Sequence, residues 1–372
     1  MKKHVFILIR YSVLTKSRNG WVIGRDKEFE DYKRNLFDPQ RLAIHEKIFK
    51  EVTIPSLSKM EKSNTTIMVF TSDELPDPFL SNLYDIAKSA GNVKVFSLSR
   101  EQAITANMHH YLLKELEKNA EDVCYATVRL DDDDALADDY YAKLFRYLSP
   151  EFIGHSISFP QGYAGLYDGD KYIKFHPVSL PKLALGLSHV HLYKKGQKAN
   201  KMLSIYGLGD HNRIDEKAPL VLVPEKGVYI RTVHKESDMY SDKLLKRLSG
   251  DKEEASFLEV KENFSFLVDC LPSGGKNISE DGLLLTSHGT YLSYSYSKDK
   301  VLHFTREELF ANPDLEPFWF DSKNMKAILR SGLASNLRDK VEMTAIIASS
   351  LTGKEYYFAG SFDDQRLALI VE

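Results

Sequence analysis

The chain has 372 residues, of which 43% are hydrophobic and 28% charged, and its formal net charge at pH 7 is −3. This length suits two ordinary domains, and the composition is that of a folded globular protein rather than a disordered chain. Because no basic stripe is present, we expect no nucleic-acid partner. No apolar run approaches the roughly 20 residues of a membrane span, and only two cysteines occur. We therefore expect a cytoplasmic protein, either free or peripheral at the inner face of the cytoplasmic membrane.

Strand-like and helix-like segments alternate along the first third of the chain. Short apolar runs predict strands over residues 5–9, 67–71, 93–97 and 123–130. Apolar residues at helical spacing predict helices over residues 41–52, 79–90 and 102–118. This order predicts an α/β fold with a doubly wound, mostly parallel sheet.

Four consecutive aspartates occupy positions 131–134, directly after the fourth predicted strand. The carboxyl ends of parallel strands are where open α/β sheets bind ligands, and carboxylates there can hold Mn²⁺ or Mg²⁺ against phosphate oxygens. Residues two apart on an extended chain share a side, so Asp131 and Asp133 could face one ligand. The other register, Asp132 with Asp134, stays open. A simpler alternative is a charged turn that caps a helix over residues 135–147.

Beyond residue 150 the pattern changes to short segments rich in Gly, Tyr, His and Ser. A late strand is predicted over residues 227–234, ending at His234. The charged stretch 243–254 predicts a helix or linker, so we place a domain boundary near Asp251, dividing residues 1–250 from residues 251–372. Alternating apolar runs after it predict a smaller, mainly β accessory module.

Residues 127–136 resemble the Asp-rich segment of GT-A glycosyltransferases, and specifically that of a bacterial rhamnosyltransferase family. Three other places occur in the order that this family shows: Arg10 with Tyr11, residues 29–30 leading to 53–57, and residues 229–234. The resemblance covers about residues 1–240. It implies a GT-A-like fold and a metal-dependent, inverting transfer of a sugar, rhamnose being one candidate. The donor would be a nucleotide-diphosphate sugar and the acceptor a glycan or lipid-linked glycan, in bacterial surface polysaccharide synthesis.

The resemblance also implies roles for individual residues. The metal ligands would be Asp131, Asp133 and His234, with His211 as the competitor of His234. Residues at or near the ends of the predicted strands are candidates for donor binding: Arg10, Tyr11, Asp73, Arg100, Arg129 and Asp131. Asp210 is the first choice for the catalytic base, followed by His211, although Asp210 could simply cap a helix. Aromatic and histidine segments suited to a sugar acceptor supply Tyr163, Tyr167, His189 and His191.

Two other classes of function remain compatible with the aspartate run. A metal-dependent nucleotidyltransferase or phosphoesterase also clusters carboxylates, because two-metal sites need them. A noncatalytic carbohydrate-binding protein could use the same side chains to hold Ca²⁺. In the glycosyltransferase interpretation, the C-terminal module would bind the acceptor or a partner enzyme.

Overall fold

The computed structural model describes residues 1–16, 22–101, 103–197, 203–237, 255, 257–268, 283, 291–295, 297, 300–317, 319–321, 326–328, 341–345, 358–362 and 365–367. The chain divides into two compact units. The first comprises Met1–Gly169, Lys174–Ala255 and Asn263–Leu267, and the second comprises Asp170–Ile173, Ser256–Glu262 and Val268–Glu372. The boundary predicted near Asp251 and the charged stretch 243–254 lie outside the described residues.

Strands and helices alternate from the first residues onward. The strands are β1 (Lys2–Tyr11), β2 (Thr65–Ser72), β3 (Val93–Leu98), β4 (Val123–Asp131), β5 (Ala135–Leu136), β6 (Ser156–Ser158), β7 (Gln161–Tyr167), β8 (Tyr172–Ser179), β9 (Ser188–Tyr193), β10 (Leu220–Leu222) and β11 (Tyr229–Val233). The helices are α1 (Phe29–Leu36), α2 (Pro39–Ile48), α3 (Ile54–Ser56), α4 (Phe79–Ala90), α5 (Ile104–Glu117) and α6 (Tyr140–Phe145).

A seven-stranded sheet forms the centre of the first unit, in the order β10-β6-β9-β4-β1-β2-β3. Strands β4, β1, β2 and β3 are parallel neighbours, whereas β9 runs antiparallel to both β4 and β6. Helices connect the parallel strands, as crossovers of this kind require. The predicted α/β class with a mostly parallel sheet is confirmed.

Both faces of this sheet are covered. Ile7 of β1 packs in one cluster with Leu42 of α2, and the next residue, Leu8, packs in another with Met108 of α5. All four side chains are fully buried. Burying such a side chain stabilises the fold by about 1.5–3 kcal/mol. A strand covered on both faces needs apolar residues at every position, and this explains why β1 and β4 are continuous apolar runs in the sequence.

The residues after the aspartate run do not begin the helix considered over residues 135–147. Ala135 and Leu136 form β5, which pairs antiparallel with Ile230 and Tyr229 of β11, and α6 begins only at Tyr140. β5 belongs to a second sheet of order β5-β11-β7-β8. Pairing with β11 satisfies backbone groups that a helix would otherwise satisfy internally. The aspartate run therefore joins two sheets, and the strand predicted over residues 227–234 is confirmed as β11.

The described part of the second unit is mainly β, as predicted. Its strands pair antiparallel in three small groups: β12 (Tyr291–Ser295), β13 (Lys300–Phe304) and β14 (Leu315–Pro317); β15 (Trp319–Asp321) and β16 (Lys326–Ile328); and β17 (Val341–Ala345), β18 (Phe358–Phe362) and β19 (Gln365–Leu367). The later helices are α7 (Phe257–Asn263) and α8 (Arg306–Ala311). Within the described ranges, no helix is long and apolar enough to cross a membrane.

A short segment beyond the predicted boundary packs into the first unit. The backbone carbonyl of Asn263 accepts from the Asp138 amide at 2.9 Å, and the Asp138 carboxylate accepts from the Ser265 amide at 3.2 Å. Phe264 between them is fully buried, with its ring centroid 6.3 Å from that of Tyr163. Residues 263–267 therefore stabilise the first unit although they follow the predicted boundary.

Truncation at two positions tests this packing. A chain that ends after residue 251 loses the buried Phe264 ring and the two hydrogen bonds of Asp138, whereas a chain that ends after residue 268 keeps them. The loss corresponds to roughly 2–4 kcal/mol, or about 4–12 °C in melting temperature. Thermal denaturation followed by circular dichroism compares the two chains. Equal melting temperatures would show that the segment contributes nothing.

Candidate active site

A cavity of about 790 Å³ lies at the carboxyl ends of β1 and β4 in the first unit. In the register of these two parallel strands Arg10 lies opposite Asp131, and its guanidinium donates to Asp131 Oδ1 at 2.9 Å. Six of the predicted site residues line the cavity: Arg10, Arg129, Asp131, Asp133, Asp210 and His211. This is the end of the sheet at which open α/β folds bind ligands. The cavity is therefore the candidate active site.

The first and third aspartates of the run are the more accessible pair. The Asp131 side chain is 40% exposed and pairs with Arg10. The Asp133 side chain is 16% exposed, and its Oδ2 lies 3.1 Å from His234 Nε2. Both carboxylates reach the cavity, as expected for residues two apart on an extended chain.

The second and fourth aspartates are buried and held by the surrounding fold. Asp132 Oδ1 lies 3.3 Å from His45 Nδ1, and its backbone carbonyl accepts from the Thr53 hydroxyl at 2.9 Å. Asp134 Oδ1 accepts from the backbone amide of Thr232 at 2.9 Å. Neither side chain caps α6, which begins six residues after the last of the four aspartates. Their burial makes them supports of the local structure.

Three side chains come close enough to share a metal ion: His45, Asp133 and His234. Their candidate ligand atoms all lie within 4.8 Å of one another, and the two imidazole rings are 5.2 Å apart. The donor set fits a divalent cation, because His45 Nε2 is buried and has no hydrogen-bond partner among the described residues. Two of the three residues were predicted as ligands. Asp131, the other predicted ligand, is not in this group and pairs with Arg10 instead.

The two histidines also influence the charge of the aspartates. Burial by itself would raise the pKa of Asp133, but the hydrogen bond from His234 and the proximity of His45 outweigh burial and lower this pKa to about 2. Burial, followed by repulsion from Asp133 and Asp131, raises the pKa of Asp134 well above its ordinary value. Asp133 is therefore the carboxylate of this pair that stays ionised and available to a cation at neutral pH.

The ring of Tyr206 lies close to two arginines, one of which pairs with Asp131. The guanidinium carbons of Arg10 and Arg129 lie 5.1 and 4.7 Å from the centroid of the Tyr206 ring. Arg129 lies opposite Leu8 in the parallel register, so the two arginines project from the same face of the sheet. Such contacts hold guanidinium groups in place at little cost in solvation. The result is a pair of oriented positive charges beside the aspartate run, which suits a phosphate group.

Asp210 and His211 line the same cavity from a turn that follows Gly209. Gly209 has φ of +82°, a conformation that other residues rarely adopt. Asp210 caps the 3-10 turn that starts at His211, and its Oδ1 accepts from the Asn212 amide at 2.9 Å. This hydrogen bond lowers the pKa of Asp210. Its side chain is 57% exposed, so a hydroxyl in the cavity could reach the carboxylate that the cap leaves accessible.

Three of the predicted donor-binding residues do not line the cavity. Tyr11 is fully buried, with its ring 5.2 Å from that of Phe49. Asp73 is exposed at the end of β2, and the Arg100 guanidinium pairs with Glu74 at 3.2 Å. The cavity lies above β1 and β4, so the ends of β2 and β3 are outside it, and Tyr11 ends β1 but packs in the core.

The predicted acceptor residues are also buried elsewhere in the first unit: Tyr163, Tyr167, His189 and His191. His189 Nδ1 lies 2.9 Å from the Ser156 hydroxyl, and His191 Nε2 lies 3.2 Å from the Thr127 hydroxyl. Burial lowers the pKa of His189 to about 4. None of the four lines the cavity, so a sugar bound there would not contact them.

Comparison with protein families identifies the chain. Residues 4–244 match the family described as "Putative rhamnosyl transferase". The chain belongs to this family. The match includes the whole candidate site and ends before the second unit's main portion, Val268–Glu372. The family resemblance inferred from the aspartate run is confirmed.

Comparison with solved structures gives distant similarities. The 1–349 fragment of TarS from S. aureus matches at 12% identity and a TM-score of 0.31, over 62% of this chain and 60% of that one. The same fragment in complex with UDP-GlcNAc matches at 12% identity and a TM-score of 0.35, over 73% of this chain and 67% of that one. The mannosyltransferase PcManGT from Pyrobaculum calidifontis, in complex with GDP-Man and Mn²⁺, matches at 11% identity and a TM-score of 0.31. This match covers 63% of this chain and 58% of that one.

The chain thus spans 60% of the first of these structures. No curated protein matches the chain. The family assignment rests on the sequence match alone.

Proposed function

We propose that this protein is a metal-dependent glycosyltransferase that moves a sugar from a nucleoside-diphosphate donor to a glycan acceptor. One observation carries the proposal: a single cavity is lined by the arginine pair Arg10 and Arg129 and by His45 and Asp133, which form a cluster with the buried His234. A diphosphate needs counter-charge on both sides, and these two groups would supply it. The family match supports the same chemistry.

The donor diphosphate would bind between the two groups. Arg10 and Arg129 would donate charge-assisted hydrogen bonds to the phosphate oxygens, which orients the leaving group. His45, Asp133 and His234 would hold a divalent cation, which when bound supplies positive charge beside the leaving diphosphate. Asp131 would keep Arg10 directed into the cavity through the ion pair at 2.9 Å.

The transfer itself would be a displacement at the anomeric carbon of the donor. The acceptor hydroxyl oxygen forms a bond to this carbon, the bond from the carbon to the diphosphate oxygen breaks, and its electron pair leaves with the diphosphate. Asp210 would take the proton of the acceptor hydroxyl as the general base. Attack from the side opposite the leaving group inverts the anomeric configuration. The exposure of Asp210 and its position on the cavity wall support this role.

The wider role is proposed from the family resemblance. We propose rhamnose as the transferred sugar, a glycan or lipid-linked glycan as the acceptor, and bacterial surface polysaccharide as the product, with the protein at the inner face of the cytoplasmic membrane. The second unit, which the family match largely leaves uncovered, would then bind the acceptor or a partner enzyme.

The test is a product assay with the purified full chain. We expect UDP-, dTDP- or GDP-sugar plus Mn²⁺ and a glycan acceptor to yield a lengthened glycan and free nucleoside diphosphate. Release of pyrophosphate from a nucleoside triphosphate and a sugar phosphate would instead indicate a nucleotidyltransferase. Glycan binding without consumption of any nucleotide sugar would indicate a carbohydrate-binding protein. Either result would overturn the proposal.

A substitution in the arginine pair tests the donor site separately. We expect Arg129→Gln to weaken donor binding by roughly 10- to 100-fold, because one charge-assisted hydrogen bond to phosphate is lost. Arg213→Gln is the matched control: Arg213 is exposed, pairs with Glu216 at 2.6 Å, and does not line the cavity. Calorimetry with the nucleoside diphosphate measures both. Equal affinities in the two variants would exclude Arg129 from the donor site.

A further inference from the structure

His45 is a buried histidine whose two ring nitrogens have different surroundings. Its side chain is 5% exposed and extends from α2, with Nδ1 3.3 Å from Asp132 Oδ1. An ionised carboxylate accepts hydrogen bonds and cannot donate them, so Nδ1 carries the proton in this contact. The lone pair of the neutral ring is then on Nε2. That nitrogen is buried, and within the described part of the chain it has no hydrogen-bond partner.

His45 belongs to the group that also contains Asp133 and His234. The candidate ligand atoms of the three side chains lie within 4.8 Å of one another. Burial of a polar atom without a partner is unfavourable, so folded proteins seldom keep one without a reason. A cation bound by the three side chains would satisfy this nitrogen.

Asp132 is held rigidly behind the His45 ring. Its side chain is 9% exposed, and its backbone carbonyl accepts from the Thr53 hydroxyl at 2.9 Å. Metal-binding histidines commonly donate their other ring N–H to a carboxylate, which selects the tautomer and orients the ring. The contact between Asp132 and His45 has this arrangement, and it leaves Nε2 as the nitrogen available to a cation.

We infer that His45, Asp133 and His234 form a site for a divalent transition-metal ion, and that Asp132 is the positioning residue that orients His45. This inference rests on the metal dependence proposed above and narrows the cation to a chemical class. The sequence by itself allowed Mn²⁺ or Mg²⁺.

The donor atoms decide between these classes of cation. Mg²⁺ prefers oxygen ligands and dehydrates reluctantly, so two imidazole nitrogens in a buried group suit it poorly. Imidazole is a good ligand for the first-row transition metals, whose affinities for such sites rise from Mn²⁺ through Co²⁺ to Ni²⁺. The site therefore prefers Co²⁺ to Mn²⁺, and both to Mg²⁺.

Metal binding by the full chain tests the selectivity without any nucleotide sugar. We expect calorimetry to give a lower dissociation constant for Co²⁺ than for Mn²⁺. The dissociation constant for Mg²⁺ should be at least roughly 100-fold higher than that for Mn²⁺. Bound Co²⁺ should also acquire visible absorption bands that excess Mg²⁺ does not remove. Displacement of Mn²⁺ by Mg²⁺ at comparable concentrations would overturn the inference. Selective metal binding by a chain that transfers no sugar would instead overturn only the proposed function.

Substitutions test the ligand and the positioning residue separately. We expect His45→Ala to weaken Co²⁺ binding by about 100-fold, and Asp132→Ala by about 10- to 100-fold. Asp132→Asn should recover part of the affinity, because its amide oxygen can still accept from Nδ1. His110→Ala is the control for adventitious binding, since His110 is exposed on α5 and outside the cavity.

Circular dichroism confirms that each variant is folded. Wild-type Co²⁺ affinity in folded His45→Ala would remove His45 from the site. Asp132→Ala with a lowered melting temperature but unchanged Co²⁺ affinity and absorption spectrum would reduce Asp132 to a purely structural residue.

Discussion

Asp133→Asn is expected to lower turnover at least roughly 10³-fold while the protein stays folded. Asp133 is the only carboxylate in the group with His45 and His234, and it is the aspartate whose lowered pKa keeps it ionised at neutral pH. An amide oxygen binds a divalent cation far less well than a carboxylate does, and the leaving diphosphate then loses its counter-charge. Steady-state kinetics with saturating donor and Mn²⁺ measures the effect.

Asp215→Asn is the matched control for this substitution. Asp215 is also on the first unit, but it pairs with Lys182 at 2.6 Å and does not line the cavity. Its removal should leave turnover within about twofold, because a surface ion pair contributes little. Full activity of Asp133→Asn, or of the wild type after chelation of all divalent cations, would contradict the proposed metal dependence.

Asp210→Asn is expected to lower turnover by roughly 10²- to 10⁴-fold without weakening donor binding. The local structure should let this substitution remove proton transfer without changing the backbone. Asp210 caps a turn by accepting from the Asn212 amide, and asparagine is an equally good capping residue. The variant therefore keeps the local structure and loses only the ability to take a proton. Turnover with the true acceptor and donor affinity by calorimetry separate the two properties.

Asp38→Asn controls for the capping role. Asp38 caps α2 by accepting from the amides of Gln40 and Arg41, and it does not line the cavity. Both variants should keep the melting temperature, and only Asp210→Asn should lose turnover. Near-normal turnover in Asp210→Asn would exclude Asp210 as the base. His211, which also lines the cavity and lies 3.6 Å from Asp210 Oδ1, would then be the next candidate.

The strands and helices of the first unit could be predicted because they depend on local patterns. β1 and β4 are continuous apolar runs, and covering of both sheet faces explains that composition. The local pattern could not decide the alternative of a helix over residues 135–147. Ala135 and Leu136 suit a helix, but pairing with Tyr229 and Ile230 makes them a strand. A partner about 95 residues away leaves no periodic signal beside the residues that it pairs with.

In the candidate site, too, some features follow from local patterns and others from long-range packing. The aspartate run after a buried strand directed attention to Asp133, which the structure places in the candidate metal group. The order of strands was sufficient to expect a cavity beside Arg10, Arg129 and Asp131. The rule that ligands bind at strand ends also selected Asp73 and Arg100, but neither residue lines the cavity. A strand end indicates which edge of the sheet a side chain is on, but the covering segments decide where that edge is open.

The sequence by itself determined the family, the mostly parallel sheet and the position of the acidic run at the end of β4, because each depends on residues that are close together along the chain. Only the tertiary structure showed that His45 joins the candidate metal group. No motif marks His45, whose partner Asp132 is 87 residues away. The packing of α2 against the sheet brings His45 beside the acidic run, and the pairing of β5 with β11 brings His234 there. Contacts of this range follow from the packing of the whole unit and not from any local pattern.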